Sequence, residues 1–507
     1  MAQNPVEQRL ADLARDWLIF RDDDPASLLI WQVADNARRL VAAFFESQKY
    51  ASDYATGDLF IDFDTPFEYA LQYSRDLKIF LAESYAASVD ALRQQGESVN
   101  WAFDPTAFPD SPEGFVRAVG SFIAHYGERI GTLVVVLQPE SGVDRAGFAQ
   151  WLQRVLATHP PRRLRFVLLD SSDSPRLNAF SAADDTPIAR RVLAVDGHAV
   201  AQETFAQEAT VGAAGIFRNQ LAALIALVER GSVEQVKSKA RDALAFVRQQ
   251  HWQDQEVVVR LLVAGALLKA ARHDEAVAVY QASRQAAEQA LAAGHPAGQK
   301  MILQTWFGEA GAQLAAGQSA LAAASYRQAA RSAQADQNLI LTIEARRMEA
   351  YCHAQAGELP AAHACLRQAL AAGASLKAEV RGLTSLPLAA MDFMRTLDPE
   401  RAAAIAQMKG DHDRRLSAID DDSDARALAA GAAIDRQTAA AIEEQRTNAQ
   451  QRLNAAVDAA LTRLVAAGDA RFQAGFAQAR ALLGPAWPLH GEAAIPVVPP
   501  PAAEPSS

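Results

Sequence analysis

The chain has 507 residues, too many for one hydrophobic core, so it divides into two or three domains. Its formal net charge of −11 argues against a dedicated nucleic-acid binder, which carries a basic stripe. Its apolar share of 50% is rich in alanine, and only two cysteines occur, which excludes a disulfide framework.

The first seven residues are polar, with no signal-peptide core, and no apolar run approaches the ~20 residues a membrane span needs. The expectation is a soluble, cytoplasmic protein. Residues 1–205 then read as an α/β domain with a mostly parallel sheet. Short apolar runs, taken as strands, are Trp17–Phe20, Leu59–Phe63, Val99–Phe103, Leu133–Leu137, Arg165–Leu169 and Arg191–Val195. Helical patterns near 26–48, 67–95, 112–127 and 144–158 lie between them, as in βαβ units. The run Leu133–Leu137 shows no alternation, as befits a strand buried on both faces.

This order of elements resembles the nucleotide-binding core of the P-loop ATPases, in particular the signalling (STAND-type) ATPases that carry helical repeats behind it. The resemblance implies a phosphate loop ending in Gly-Lys-Ser/Thr, whose backbone N–H groups and lysine hold the phosphates. No such tripeptide occurs. After the run Trp17–Phe20 come Arg21, Asp22, Asp23, Asp24, Pro25 and Ser27 instead, and three carboxylates repel a polyphosphate. They read as a helix start, with Asp24 as N-cap and Pro25 in the first helical position. Glu140, after the strand 133–137, and Asp170, after 165–169, stand where acids of the family would act. The resemblance therefore implies an ATPase-like domain without its phosphate chemistry, with no bound cofactor and no metal.

Three other groupings bear on chemistry. Asp62, Asp64 and Glu68 surround the end of the strand 59–63 and read as a solvated strand end or cap rather than an acid/base pair. The tyrosines Tyr50, Tyr54, Tyr69 and Tyr73 belong to a dense aromatic stretch. Core packing is their ordinary use, and a surface that receives a partner is the alternative. Cys352, His353, His363 and Cys365 supply a zinc-type ligand set, but Cys352 and His353 are adjacent and point about 100° apart on a helix. Buried packing thiols and surface histidines are the expectation. No Gly-Xaa-Ser-Xaa-Gly elbow marks a hydrolase, and no catalytic residue is assigned.

Residues 212–383 carry a repeat. Small turn residues Gly231, Ala271, Gly317 and Gly357 fall 40, 46 and 40 residues apart. Five residues after the last three of these come Ala276, Ala322 and Ala362. Nine residues after come Ala240, Tyr280, Tyr326 and Leu366, and twelve after come Ala243, Ser283, Ala329 and Ala369. Seven before the last three turns lie Ala264, Ala310 and Ala350. This order of small, turn, small, bulky and small residues resembles the tetratricopeptide family, whose paired helices approach through small side chains while the bulky one fills the groove between repeats. The spacing exceeds the family's ~34 residues, and its signature proline is missing. The resemblance implies an all-α solenoid with a concave face for a peptide or protein.

Residues 399–483 read as long helices with a narrow apolar seam that includes Ile434, Ile442, Val457 and Leu461, broken by the acidic run 420–424. Capping of the array, self-association into a homo-oligomer and contact with a client are its three uses. Residues 484–507 form a proline-rich tail read as disordered.

Two functions follow. The first is a non-enzymatic scaffold, adaptor or chaperone holding a protein client, such as a toxin or secretion cargo, on the repeats. The second is a nucleotide- or ligand-responsive switch using Glu140, Asp170 and the 22–24 loop with a cation.

Overall fold

The computed structural model describes residues 4–489 apart from 24, 51, 95, 97–98, 140–145, 178–179, 181–187, 198, 201–202 and 205–211. It falls into two compact units, one of residues 1–208 and 414–453, the other of 209–413 and 454–507.

The first unit is an α/β body. Its strands β1 (Leu28–Val33), β2 (Leu59–Phe63), β3 (Leu133–Leu137), β4 (Leu164–Ser171) and β5 (Ile188–Val192) form one sheet in the order β2-β3-β4-β1-β5, with every ladder parallel. The helices α1 (Pro5–Asp23) and α2 (Arg38–Ser47) contribute Trp17, Phe20, Val41, Phe44 and Phe45 to one face, against Leu29, Trp31, Phe60, Val134 and Val136. On the other face α3 (Ala70–Gln94), α4 (Pro112–Tyr126) and α5 (Ala146–Ala157) contribute Tyr73, Leu77, Phe115, Phe148 and Trp151, against Leu28, Ile30, Val135 and Phe166. A sheet covered on both faces has apolar strands throughout, and β3 is buried at every residue.

Three strand expectations are corrected. Trp17–Phe20 is the last part of α1, because Leu10, Leu13, Ala14, Trp17 and Phe20 continue one buried stripe at helical spacing. The first strand is Leu28–Val33, so the acidic residues Asp22 and Asp23 close α1 instead of opening a helix, and Asp24 lies outside the described residues. Val99–Phe103 is not a strand. There Trp101 stacks on Phe103 with centroids 4.5 Å apart and meets Phe122 edge-on, which buries the aromatics without a ladder. Strand β5 begins three residues earlier than read and is an edge strand beside β1.

Buried polar residues tie this unit. Asp58 accepts from Trp17 Nε1 at 2.7 Å, Arg21 Nη1 at 3.1 Å and the backbone N of Thr132 at 2.7 Å. Lys78 Nζ is buried and donates to the carbonyls of Phe108 and Pro109 and to Asp110.

The second unit is a helical solenoid. Four hairpins follow one another: α6 (Ala213–Arg230) with α7 (Val233–Gln249), α8 (Gln253–Lys269) with α9 (His273–Ala292), α10 (Gly298–Ala315) with α11 (Ser319–Ala335), and α12 (Leu339–Gln355) with α13 (Leu359–Ala374). The turns within them hold Gly231, Ala271, Gly317 and Gly357. Ala271, Gly317 and Gly357 have φ of 56°, 74° and 78°, the left-handed conformation that ends a helix. Gly231 is extended at φ −91°, and there Ser232 and Gln235 form a capping box that starts α7. A short α14 (Ala378–Arg381) and α15 (Leu386–Leu397) follow.

The long helices α16 (Pro399–Ala430) and α17 (Arg436–Ala466) come next, then α18 (Ala470–Leu483). Within the second unit α18 covers α15, with Gly475 against Leu397 and Phe393, and Trp487, beyond its end, packs back on Phe476. Within the first unit Ile434 and Ile442 pack with Tyr69, Leu71 and Ala427. The seam residues Ile434, Ile442, Val457 and Leu461 are thus all buried within the chain itself. Among the described residues, no helix is long and apolar enough to cross a membrane.

Candidate functional site

Helix packing in the solenoid starts from small residues. Ala276, Ala322 and Ala362 are fully buried at the start of the second helix of their hairpins, as are Ala264 and Ala310 on the first helices. Tyr280, Tyr326 and Leu366 are buried next to them, Tyr326 edge-on to Phe307 with centroids 6.0 Å apart. The Tyr280 ring rests on Gly308 of the next hairpin, where a Cβ would come within 2.1 Å of it. With apolar residues taken up in this way, polar side chains of α9 meet those of α10, and those of α11 meet those of α12.

At these two contacts a buried carboxylate recurs at the same repeat position. Glu309 in α10 and Glu349 in α12 each lie eight residues before the turn glycine of their hairpin, Gly317 and Gly357, and are 3% and 1% exposed. Each is held from the helix before. Glu309 accepts from Gln281 Nε2 at 2.9 Å and pairs with Arg284, both on α9. Glu349 accepts at Oε1 from Arg327 Nε of α11 at 2.7 Å, and at Oε2 from Arg346 Nη1 of its own helix at 2.7 Å. Gln281 and Arg327 themselves share a position, ten residues after the turns at Ala271 and Gly317. A buried carboxylate is retained where donors, at least one of them charged, meet both oxygens: Arg327 and Arg346 do so at Glu349, and Arg284 with the amide of Gln281 at Glu309.

Four residues after each glutamate sits a second polar residue, Gln313 and His353. Gln313 Nε2 donates to Glu309, and Ser325 Oγ of α11 donates to Gln313. His353 Nδ1 lies 2.6 Å from Glu358 Oε2, and Arg327 Nη2 lies 3.3 Å from His353 Nε2. A carboxylate accepts and a guanidinium donates, so Nδ1 carries the proton and Nε2 presents its lone pair. The Arg284 guanidinium also stacks on Trp306, 3.5 Å from the ring centroid.

Beside Glu349 and His353 opens a pocket of about 350 Å³, lined further by Arg327, Arg331, Cys365 and Gln368. Cys365 in α13 is buried and donates its thiol proton toward Glu349. Burial, then the Glu349 charge, pushes that thiol up to about 12, and burial pushes Cys352 up to about 11. Burial thus favours the protonated form of both thiols while no metal is bound.

Other sequence-predicted residues fall elsewhere. Of the four tyrosines, Tyr50 is exposed and Tyr54 half-buried. Tyr73 is a correction: it is fully buried against Phe67 and Trp151, and burial raises its pKa. Tyr69 is also corrected. It is 6% exposed, donates to Glu443 Oε1 at 3.0 Å and lies under the Arg446 guanidinium, so the chain itself covers it. Of the two histidines read as surface residues, His353 is buried in the network above, and His363 stacks on Phe393 and bonds Thr396.

At the ends of the strands Asp62, Asp170 and Asp173 are engaged within the fold. Asp62 accepts from Gln138 Nε2 through both oxygens, at 2.6 and 2.7 Å. Asp170 accepts from the backbone N of Ser171, Arg176 and Leu177, and Asp173 from that of Asp35. After β1, the true first strand, the chain runs Ala34, Asp35, Asn36, Ala37, Arg38, with no glycine for a phosphate loop. Glu140 lies outside the described residues.

The sequence reading missed the glutamates because a charged residue in a helix reads as solvated. The signal that would have found them is their shared register: Glu309 and Glu349 lie at one repeat position, with Gln281 and Arg327 at another.

No protein-family model matches the chain, and no curated protein matches it. Solved structures similar to it include BtubC (BKLC) from P. vanneervenii, 13% identical over 51% of this chain and 89% of that one, with a TM-score of 0.33. A Rap protein complexed with competence and sporulation factor is 10% identical over 88% and 98%, with a TM-score of 0.27. A signal transduction ATPase with numerous domains and a tetratricopeptide repeat sensor, from Pyrococcus horikoshii, is 9% identical over 92% and 94%, with a TM-score of 0.23. The fold of this chain is an α/β domain with a parallel sheet, followed by an all-α solenoid and long C-terminal helices.

Proposed function

We propose that the chain is a non-enzymatic scaffold, an adaptor or chaperone that holds a protein client along the polar face of its helical repeats. The observation that carries this reading is the ladder of buried glutamates with its pocket. Glu309 and Glu349 fix Arg284 and Arg346 in place, and the half-exposed Arg327 lies beside them, which gives a charged face largely ordered before a partner binds. The exposed Arg331 and the pocket beside it leave donors for a client's carbonyls and carboxylates. A toxin or secretion cargo is the kind of client such an adaptor carries. In this reading the α/β body resembles an ATPase core put to structural use, since Asp62 and Asp170 at its strand ends are taken up by the chain's own donors.

Affinity capture of the full chain from its native cell, with mass spectrometry of what comes along, tests the proposal. A stoichiometric partner that is lost with Arg331→Glu and kept with Tyr50→Ala supports it. A partner retained by Arg331→Glu and lost with Tyr50→Ala moves the binding site to the α/β body and overturns it.

A further inference from the structure

The geometry points to a divalent transition-metal site of zinc type in the last hairpin, formed by Glu349 Oε1, His353 Nε2 and Cys365 Sγ, with the Arg327 guanidinium as the cation that fills it when no metal is bound. This inference is independent of the client reading, and either can fail alone.

Glu349 and His353 lie four residues apart on α12, so their side chains stack on one face, and Cys365 approaches from α13. Their donor atoms all lie within 4.8 Å of one another, and Glu349 Oε1 is 3.9 Å from His353 Nε2. Donor atoms around a tetrahedral zinc stand about 3.5 Å apart, so small side-chain rotations close the set. One carboxylate, one imidazole and one thiol make a borderline-soft set that suits zinc or cobalt rather than magnesium or calcium.

The second coordination sphere is already in place. Glu358 accepts from His353 Nδ1 at 2.6 Å, the carboxylate–histidine arrangement that turns Nε2 toward a metal. The strongest pointer is Arg327. Its Nε donates to Glu349 Oε1 at 2.7 Å and its Nη2 to His353 Nε2 at 3.3 Å, the same two atoms that would ligate the ion. A positive charge therefore already sits between two of the three ligands. The Arg327 side chain is 43% exposed, so it can leave for solvent as the ion enters. Arg346 stays on Glu349 Oε2 and keeps the carboxylate oriented. On binding, Cys365 releases its thiol proton to solvent, and water from the adjoining pocket completes the coordination.

The full chain, stripped with a chelator and titrated with Co²⁺, tests this. Wild type is expected to take up one Co²⁺ per chain with a thiolate-to-cobalt charge-transfer band. Cys365→Ser is expected to lose the band, and Cys352→Ala to keep it. Arg327→Ala, which removes the competing cation, is expected to bind about tenfold more tightly, a shift of the size outer-shell changes produce. Wild type that takes up no Co²⁺, a band that persists in Cys365→Ser, or an Arg327→Ala affinity that does not rise would each overturn the proposal. If Cys365→Ser proves unfolded by circular dichroism, His353→Ala replaces it, with loss of uptake expected and unchanged uptake fatal to the site.

Discussion

Glu309 and Glu349 occupy the same place in consecutive hairpins, 40 residues apart, each buried and each held by a donor from the helix before it. The arrangement makes the third hairpin depend on the second, and the fourth on the third, through a charge as well as through packing. Removing one partner of a buried pair costs more than removing both. Glu309→Ala, which leaves Arg284 without its carboxylate at 14% exposure, should destabilise the solenoid by about 3 kcal/mol in urea unfolding. The double variant Glu309→Met with Arg284→Met should recover most of that loss. A double variant as unstable as the single one would show that Glu309 acts through something other than its charge.

Two glycines on α10, three residues apart, make opposite predictions. At Gly308 a Cβ would lie 2.1 Å from the buried Tyr280 ring, whereas at Gly311 the nearest atom, the Tyr326 hydroxyl, is 4.0 Å away. Gly308→Ala should lower stability by about 1–3 kcal/mol through overpacking. Gly311→Ala should raise it by up to about 1 kcal/mol through helix propensity. Thermal melts of the two variants read the difference directly.

In the α/β body, Asp58 accepts from Trp17, Arg21 and Thr132 with its side chain fully buried. Asp58→Ala strands two buried N–H donors and a guanidinium, and a loss of about 3 kcal/mol or more is expected. Because α1 is fixed to β2 through this residue, limited proteolysis should cut Asp58→Ala within residues 4–23 before it cuts the solenoid. Cleavage of the solenoid first would contradict the assignment.

Alkaline pH should loosen the repeats. Burial raises Tyr326 from 10.0 to about 12. A folded-state pKa above the unfolded one means that the stability of the neutral phenol is fully present below pH 10 and is lost as pH rises toward 12. Tyr326→Phe should therefore reduce the slope of stability against pH in that window. Some slope should remain, because burial raises Tyr73 and Tyr280 as well. An unchanged slope in Tyr326→Phe would mean that this phenol titrates as if unfolded.

Sequence legibility followed the length of the pattern. The four hairpin turns at Gly231, Ala271, Gly317 and Gly357 were readable because small residues recur around them at fixed offsets. Strands Leu59–Phe63 and Leu133–Leu137 were readable because turn residues bound them. Trp17–Phe20 and Leu28–Val33 were exchanged, since a short apolar run has no period that separates a buried helix segment from a central strand. Tyr69 and Tyr73 read as surface candidates because their covers are remote in sequence: Glu443 and Arg446 for the first, Phe148 and Trp151 for the second. The glutamate ladder and the Glu349–His353–Cys365 cluster depend on which helix faces meet. That information lies in packing between helices, and the linear chain shows it only as a repeated register.

The central claim is that a client lies along the repeat face, and hydroxyl-radical footprinting of the full chain with its captured partner tests it most directly. Trp306, three residues before Glu309 on α10, lies half-buried under the Arg284 guanidinium and so reports on that face. The account predicts protection of Trp306 and Cys365 on complex formation, with Tyr50 of the α/β body unchanged. Protection of Tyr50 with no change at Trp306 would contradict it.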